Sequence, residues 1–159
     1  YMMSRTKKLV ICGLLIAIVA VATILIKIPT VIGYANAGDG FILIASMLVG
    51  PLAGLVGGIG SALADLILGY TGYAPATFVI KGLIGLAGGY LIRGRRLSLR
   101  NLLVFIVCEL WMVAGYFLFE TILYGVHSAL GSVLPNLGQA AVGVLIAAIA
   151  APALKHLKL

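Results

Sequence analysis

The chain alternates between long apolar segments and short polar stretches, and most of the apolar segments are long enough to span a membrane. A helix rises about 1.5 Å per residue, so roughly 20 apolar residues cross the hydrocarbon core of a bilayer. The pattern predicts six transmembrane helices, at approximately 9–28, 40–50, 52–68, 75–92, 102–124 and 135–153. The second segment is only about 15 Å long, which predicts a short or partly re-entrant helix. The predicted fold is therefore all-α, in a single transmembrane domain over residues 1–159.

The composition also indicates a membrane protein. Hydrophobic residues make up 63% of the chain and charged residues 9%, and the mean hydropathy is +1.23. A soluble domain of this size could not cover its surface with so few polar side chains. The two cysteines, Cys12 and Cys108, are isolated within predicted spans, so they predict neither a metal site nor a disulfide.

The basic residues predict the orientation in the membrane. Nine of the eleven lie beside three predicted membrane boundaries. They form three groups, which are Arg5, Lys7 and Lys8; Arg93, Arg95, Arg96 and Arg100; and Lys155 and Lys158. Because basic residues concentrate in cytoplasmic segments, this distribution places both termini in the cytoplasm. The formal net charge of +7 then reflects topology and does not indicate a nucleic-acid partner.

Two charges interrupt the apolar stretch 50–89. Asp65 and Lys81 each lie inside a predicted span, at similar depth, on faces that also carry small residues. A charge inside a membrane costs about 2.5–3.5 kcal/mol on insertion scales, so each needs a partner or an aqueous cavity. Two interpretations stay open. The residues form a structural ion pair, or Lys81 contacts a ligand while Asp65 or Glu120 orients it.

Other polar side chains share faces at the outer ends of the later spans. Tyr116 and Glu120 lie on one face of the fifth span, and Asn136 and Gln139 on one face of the sixth. The first loop contributes two more polar residues, and together these positions predict a polar cup that opens to the exterior. The predicted ligand-binding residues are Asn36, Asp39, Asp65, Lys81, Tyr116, Glu120, Asn136 and Gln139.

Some other residues of the same regions receive a structural interpretation. Glu109 lies deeper than the cup, which favours a packing role or contact with a partner subunit. Four tyrosines near the outer boundary are typical of the aromatic belt of membrane proteins. They are Tyr34, Tyr70, Tyr73 and Tyr124.

The sequence carries no enzyme signature. A phosphate-binding loop needs a Gly-Lys pair, and none occurs; an HExxH zinc motif is also absent. The two histidines, His127 and His156, fall on opposite sides of the predicted membrane. We therefore expect a protein that is not an enzyme.

The central stretch resembles a known transporter family. GPLAGLVGGIGSALADLILG followed by YAPATFVIKGLIGLAGG, within six spans of similar total length, is similar to the S component of energy-coupling factor (ECF) vitamin transporters. The likeness covers essentially the whole chain and is closest to the riboflavin, hydroxymethylpyrimidine and pyridoxine branch. The resemblance implies a bacterial cell-membrane protein that captures a vitamin at the outer face. It also implies partners, namely a transmembrane T subunit and two ABC ATPase subunits that hydrolyse ATP, so the chain needs no cofactor of its own.

The same resemblance implies a partner-facing motif on the first span. The family carries Ala-x-x-x-Ala there, and the nearest match in this chain is Gly13-x-x-x-Ala17, with Ala20 extending the stripe. Glycine in place of the first alanine preserves close helix packing. Other registers, through Ala20 or Ala22, stay open, as does packing of the stripe inside the protein itself.

Three functional hypotheses follow. In the first, the chain binds a pyridoxine-like or hydroxymethylpyrimidine-like heterocycle; Tyr116 stacks on the ring, and Asn136 and Gln139 bond its polar edge. In the second, it is a stand-alone proton-coupled secondary transporter, with Glu120 or Asp65 exchanging a proton and Lys81 as counter-ion. In the third, it is a structural membrane subunit without a ligand. Uptake by the purified chain without ATP would favour the second, and tight binding of any small heterocycle would eliminate the third.

Overall fold

The structure is a computed structural model that describes residues 4–30, 32–154 and 156–157. Within these residues the chain forms six α-helices, one 3-10 turn and one β-hairpin. In chain order they are α1 (Arg5–Leu25), β1 (Lys27–Pro29), β2 (Tyr34–Asn36), α2 (Gly38–Val49), the 3-10 turn (Gly50–Leu52), α3 (Ala53–Leu68), α4 (Ala74–Leu91), α5 (Leu99–Tyr124) and α6 (Val126–Leu154). In the described part of the chain, five helical segments are long and apolar enough to cross a membrane, with α2 and α3 counted together as Gly38–Leu68. The regular secondary structure of the same residues is helical apart from the hairpin. Six complete crossings with cytoplasmic termini stay a prediction.

The chain reverses direction between α2 and α3. Gly50 has a φ of +62°, a left-handed conformation that glycine adopts without strain, and Pro51 follows it in the 3-10 turn. A Cβ added to Gly57 would lie 2.9 Å from the side chain of Ile42, so the two helices pack side by side. The first turn of α2 is buried, and Asp39 within it is fully buried. A charged residue at the start of α2 is therefore enclosed by the bundle.

Helices α3 and α4 are in very close contact through glycine. A Cβ at Gly85 would overlap the carbonyl oxygen of Ala53, and a Cβ at Gly54 would lie 3.1 Å from the carbonyl oxygen of Gly82. Small residues allow helix backbones to approach in this way inside a membrane. This packing directs Asp65 and Lys81 inward, where their exposed fractions are only 3% and 1%.

The first predicted span differs from the structure at both ends. Helix α1 covers Arg5–Leu25, where 9–28 was predicted, and it begins where the hydroxyl of Ser4 accepts a hydrogen bond from the Lys7 amide. After α1 the chain forms β1, which pairs antiparallel with β2. No strand was predicted, because segments of three residues are too short to show an alternating pattern.

The last predicted span is wrong at its start. Residues 126–134 were predicted to be part of an outer loop, and helix α6 instead begins at Val126. Pro135 suggested the boundary because proline is common at the first position of a helix, yet here it lies inside α6. Ala129 and Ser132 are buried in the added turns, so packing against the bundle supports this segment. The other predicted bounds lie within three residues of the observed ones.

Candidate ligand-binding site

A polar chamber lies between the hairpin, the turn that precedes α4, and helices α3 to α6. Polar and aromatic side chains dominate its lining. The lining consists of Thr23, Thr30, Gly33, Tyr34, Asn36, Ser61, Asp65, Tyr70, Tyr73, Thr77, Lys81, Tyr116, Glu120, Asn136 and Gln139. The cavity volume is only about 20 Å³, which is room for about one water molecule. A heterocycle would therefore need lining side chains or the hairpin to move.

The structure brings the predicted site residues together. Seven of the eight line the chamber, and the eighth, Asp39, is hydrogen-bonded to two of them, Lys81 and Gln139. The predicted stacking residue Tyr116 is half-buried, with its hydroxyl 2.9 Å from that of Thr77. Asn136 lies on the lining with an exposed fraction of 7%.

Three of these residues form what we name the central cluster: Asp39, Lys81 and Gln139. The Lys81 ammonium donates to both carboxylate oxygens of Asp39, at 2.5 and 2.6 Å. The side-chain amide of Gln139 donates to Asp39 Oδ2, and its oxygen accepts from the backbone N–H of Asn36 at 2.8 Å. The first turn of α2 adds the favourable field of a helix N-terminus to the Asp39 carboxylate. Both Asp39 oxygens are thus satisfied.

Of the two interpretations left open for Asp65 and Lys81, the structural ion pair between them is wrong. Among the described residues, Lys81 forms its salt bridge with Asp39, and Asp65 accepts a hydrogen bond from Tyr34. Counting residues along α3 and α4 gave the depth of both charges but could not reveal that α2 begins inside the bundle. Its buried first turn provides a nearer carboxylate for the lysine.

Two carboxylate–tyrosine pairs form what we name the outer cluster. Tyr34 donates to Asp65 Oδ1, and Tyr73 lies 3.2 Å from Glu120 Oε1 and 3.1 Å from the carbonyl oxygen of Ile32. The second oxygens, Asp65 Oδ2 and Glu120 Oε2, are buried and have no hydrogen-bond partner within the described part of the chain. Each acid therefore has one oxygen held by a tyrosine and one oxygen that makes no close hydrogen bond, with the hydroxyl of Thr77 near Asp65 and that of Ser132 near Glu120.

The tyrosine hydroxyls of the outer cluster are permanent donors at neutral pH. Burial raises the pKa of the Tyr34 phenol, and its hydrogen bond to Asp65 raises it further. Burial and the nearby charge of Glu120 likewise raise the pKa of the Tyr73 phenol. Both groups stay protonated, so the tyrosines orient the two carboxylates at any pH near neutrality.

Sequence reasoning missed several lining residues. Tyr34, Tyr70 and Tyr73 were interpreted as an aromatic belt, but they line the chamber, and the Tyr34 and Tyr70 rings lie 5.0 Å apart. Ser61 and Thr77 also line it. The spacing held a signal for these two, because each precedes a buried charge by four residues and so shares its helix face. No such periodicity exists for the tyrosines, since Tyr34 lies in β2 and Tyr70 and Tyr73 lie in the turn before α4.

Glu109 lies outside the chamber. Its exposed fraction is 1%, and neither carboxylate oxygen has a partner among the described residues. Gly143 separates it from the central cluster, since a Cβ there would lie 2.8 Å from Glu109 Oε1 and 3.1 Å from the Cβ of Asp39. Glu109 also lines an apolar groove of about 470 Å³ between α5 and α6. Its predicted structural or partner role stays a prediction.

The predicted partner stripe is only partly on an open face. Gly13 and Ala17 are exposed, and Gly13 has no neighbour that a Cβ would meet within 4 Å. Ala20 is buried, with an exposed fraction of 9%, so it lies off the open face, and its part in the partner stripe stays a prediction. The exposed stripe continues through Val21, and Ala17 and Val21 line a groove of about 390 Å³ that Phe41 also borders.

The fold is similar to that of one solved protein structure. It matches the crystal structure of FolT bound with folic acid, with a TM-score of 0.67, over 91% of this chain and 89% of that chain. The sequence identity is 22%, so this likeness concerns the fold alone.

Sequence comparisons identify the family. The family model described as "ECF-type riboflavin transporter, S component" matches residues 3–156, and the chain belongs to this family. Its members are transporter components and not enzymes. A protein from Pyrococcus woesei described as "Uncharacterized protein in gap 3'region" is 40% identical over 131 residues, or 80% of this chain and 88% of that protein. The thiamine precursor transporter HmpT of Lactococcus lactis subsp. cremoris is 31% identical over 104 residues, or 65% of this chain and 58% of that protein.

Proposed function

We propose that this S component captures a small water-soluble vitamin or vitamin precursor, a pyridoxine-like or hydroxymethylpyrimidine-like heterocycle, at the extracellular side. The observation that supports the proposal most directly is the polar chamber, in which buried carboxylate oxygens of Asp65 and Glu120 lack partners. A buried acceptor without a partner is costly, and a bound ligand with donors would satisfy it. The sequence similarity to a thiamine precursor transporter supports a small heterocycle.

Delivery would require other chains. In our proposal the protein associates with an energising module of one transmembrane T subunit and two ABC ATPases, which hydrolyse the ATP. The chain lies in the cell membrane with both termini in the cytoplasm. The exposed stripe through Gly13 and Ala17 would face the T subunit, because small residues let a partner helix approach closely.

The test of capture uses the purified full chain. Mass spectrometry of the small molecule that co-purifies with it should identify a heterocycle, and calorimetry should then give a submicromolar Kd for that compound. Failure to bind any of pyridoxine, hydroxymethylpyrimidine or riboflavin, with no co-purified compound, would contradict the proposal.

The test of delivery uses proteoliposomes. Uptake of the bound compound should require both the energising module and ATP. Uptake by the chain alone, driven by a pH gradient, would instead support the stand-alone proton-coupled carrier. The carrier hypothesis is weakened by the central cluster, because its counter-ion Lys81 is paired with Asp39.

The partner face can be tested by one substitution. Ala17→Leu should leave ligand affinity unchanged and reduce ATP-dependent uptake at least tenfold, because the larger side chain blocks close helix approach. Ala114→Leu is the matched control, since Ala114 is also exposed but lies on α5. Equal uptake by the two variants would contradict the assignment of this face.

A further inference from the structure

The interior of the protein has an unusual balance of charge. All four acidic residues of the chain are buried, with exposed fractions of 3% or less: Asp39, Asp65, Glu109 and Glu120. Among the described residues, the one buried basic side chain is Lys81. Uncompensated charge inside a membrane protein is unfavourable, so the excess of acids calls for a physical explanation.

The central cluster uses the interior cation. Lys81 binds both oxygens of Asp39, so the pair is neutral and contributes little net charge to the chamber. The carboxyl groups on the chamber lining are those of Asp65 and Glu120. The chamber as a whole is therefore acidic, although a lysine lies on its wall.

The second oxygens of the two acids, Asp65 Oδ2 and Glu120 Oε2, lie buried at the chamber without a close hydrogen bond among the described residues. The hydroxyls of Thr77 and Ser132 lie near Asp65 and Glu120, but within the described residues they form no close hydrogen bond with these two oxygens. The tyrosines of the outer cluster already donate to the opposite oxygen of each acid. A ligand that donates hydrogen bonds or carries positive charge would satisfy both oxygens at once.

Aromatic rings on the chamber lining also favour a cationic ligand over an anionic one. Tyr34, Tyr70, Tyr73 and Tyr116 line the chamber, and the rings of Tyr73 and Tyr116 lie 6.4 Å apart. The face of an aromatic ring attracts cations and repels anions. The Lys81 ammonium lies 5.4 Å from the Tyr116 ring centroid, so the chamber already holds one such contact.

We infer that Asp65 and Glu120 make the chamber selective for the charge of its ligand: it accepts a heterocycle with an amine, an amino group or hydroxyl donors, and rejects the carboxylated or phosphorylated form of the same ring. This inference rests on the proposed function and adds the substrate's charge class to it. An anionic substituent would be placed beside two carboxylates, and no described residue provides an unpaired cation on the chamber lining. Asp65 and Glu120 are then the specificity-determining residues.

The experiment measures affinity within matched compounds. Pyridoxamine, pyridoxine and pyridoxic acid share one ring and differ at one substituent, which is an ammonium, a hydroxyl or a carboxylate. Hydroxymethylpyrimidine and riboflavin are each compared with their phosphate esters. For whichever scaffold binds the purified full chain, the anionic form should bind at least tenfold more weakly than the amine or alcohol form of the same ring.

Isosteric variants assign the effect to the two acids. Asp65→Asn and Glu120→Gln keep an oxygen for the tyrosine and remove the charge. Each should therefore reduce, at least fivefold, the ratio of the affinity for the amine or alcohol form to the affinity for the anionic form. Glu109→Gln is the control, because it removes a buried charge outside the chamber and should leave the ratio unchanged. Elution as a single folded species on size exclusion verifies each variant.

The possible results separate the two proposals. If neutral and anionic forms bind equally to the wild-type chain, the charge inference is overturned and capture stands. The inference is also overturned if the ratio survives in both Asp65→Asn and Glu120→Gln. If no compound of any scaffold binds the wild type, the proposed function fails, and the inference fails with it.

Discussion

The two polar clusters of the bundle are built from similar groups but differ in how completely these are satisfied. In the central cluster, Lys81 and Gln139 together donate to both oxygens of Asp39. In the outer cluster, Asp65 and Glu120 each keep a buried oxygen without a partner among the described residues. The central cluster therefore stabilises the fold. The outer cluster stabilises it only in part, because it leaves two hydrogen-bond acceptors that a ligand in the chamber could use.

The comparison shows why a buried charge alone does not indicate a role in binding. Lys81 is the most obvious candidate in the sequence, yet its ammonium mainly joins α4 to α2. Gln139 extends this connection from α6 to the hairpin through the backbone of Asn36. Removal of the central cluster should therefore affect stability first, whereas changes in the outer cluster should affect ligand recognition.

The largest expected effect is that of Lys81→Met. This substitution leaves Asp39 as a buried charge without its cation and should lower the free energy of unfolding by about 3–5 kcal/mol. Thermal and denaturant unfolding in detergent micelles would measure the loss. The double variant Asp39→Asn with Lys81→Met should recover most of it, because no lone charge remains. A loss below about 1 kcal/mol in the single variant would show that the pair does not stabilise the bundle.

A smaller effect is expected in the outer cluster from Tyr34→Phe and Tyr73→Phe. Each removes the donor to one carboxylate. Because a hydrogen bond to a charged group contributes about 1.5–3 kcal/mol, each variant should lower the free energy of unfolding by about that amount. Tyr90→Phe is a suitable control, because Tyr90 is 71% exposed. If all three variants unfold at the wild-type midpoint, the tyrosines do not hold the carboxylates.

The smallest effect is expected from Glu109→Gln. Neither oxygen of this carboxylate has a hydrogen bond to lose within the described residues, so the free energy of unfolding should change by no more than about 1 kcal/mol. The same unfolding measurement applies. A loss similar to that of Lys81→Met would show that Glu109 stabilises the bundle as the central cluster does. The buried acids would then no longer differ in their contribution to stability.

Much of the candidate site was accessible from periodicity. Tyr116 and Glu120 share a helix face by spacing alone, as do Asn136 and Gln139, and all four line the chamber. The cost of a charge in the membrane further predicts that Asp65 and Lys81 point inward. The hairpin and the first turns of α6 were missed because they carry no long periodic pattern. Ala20 was included in the partner stripe because it extends the step from Gly13 to Ala17, and only the packing of α1 against the bundle shows that it is buried.

The sequence by itself determined that the protein is a helical membrane bundle and which side chains must face its interior, because helix period and the cost of burying charge act locally. Only the tertiary structure decided the partners. Lys81 pairs with Asp39 across 42 residues of chain, and Tyr34 pairs with Asp65 across 31. Those choices depend on the depth at which α2 begins and on the hairpin that carries Tyr34. Both follow from how the helices pack against one another, which no single segment encodes.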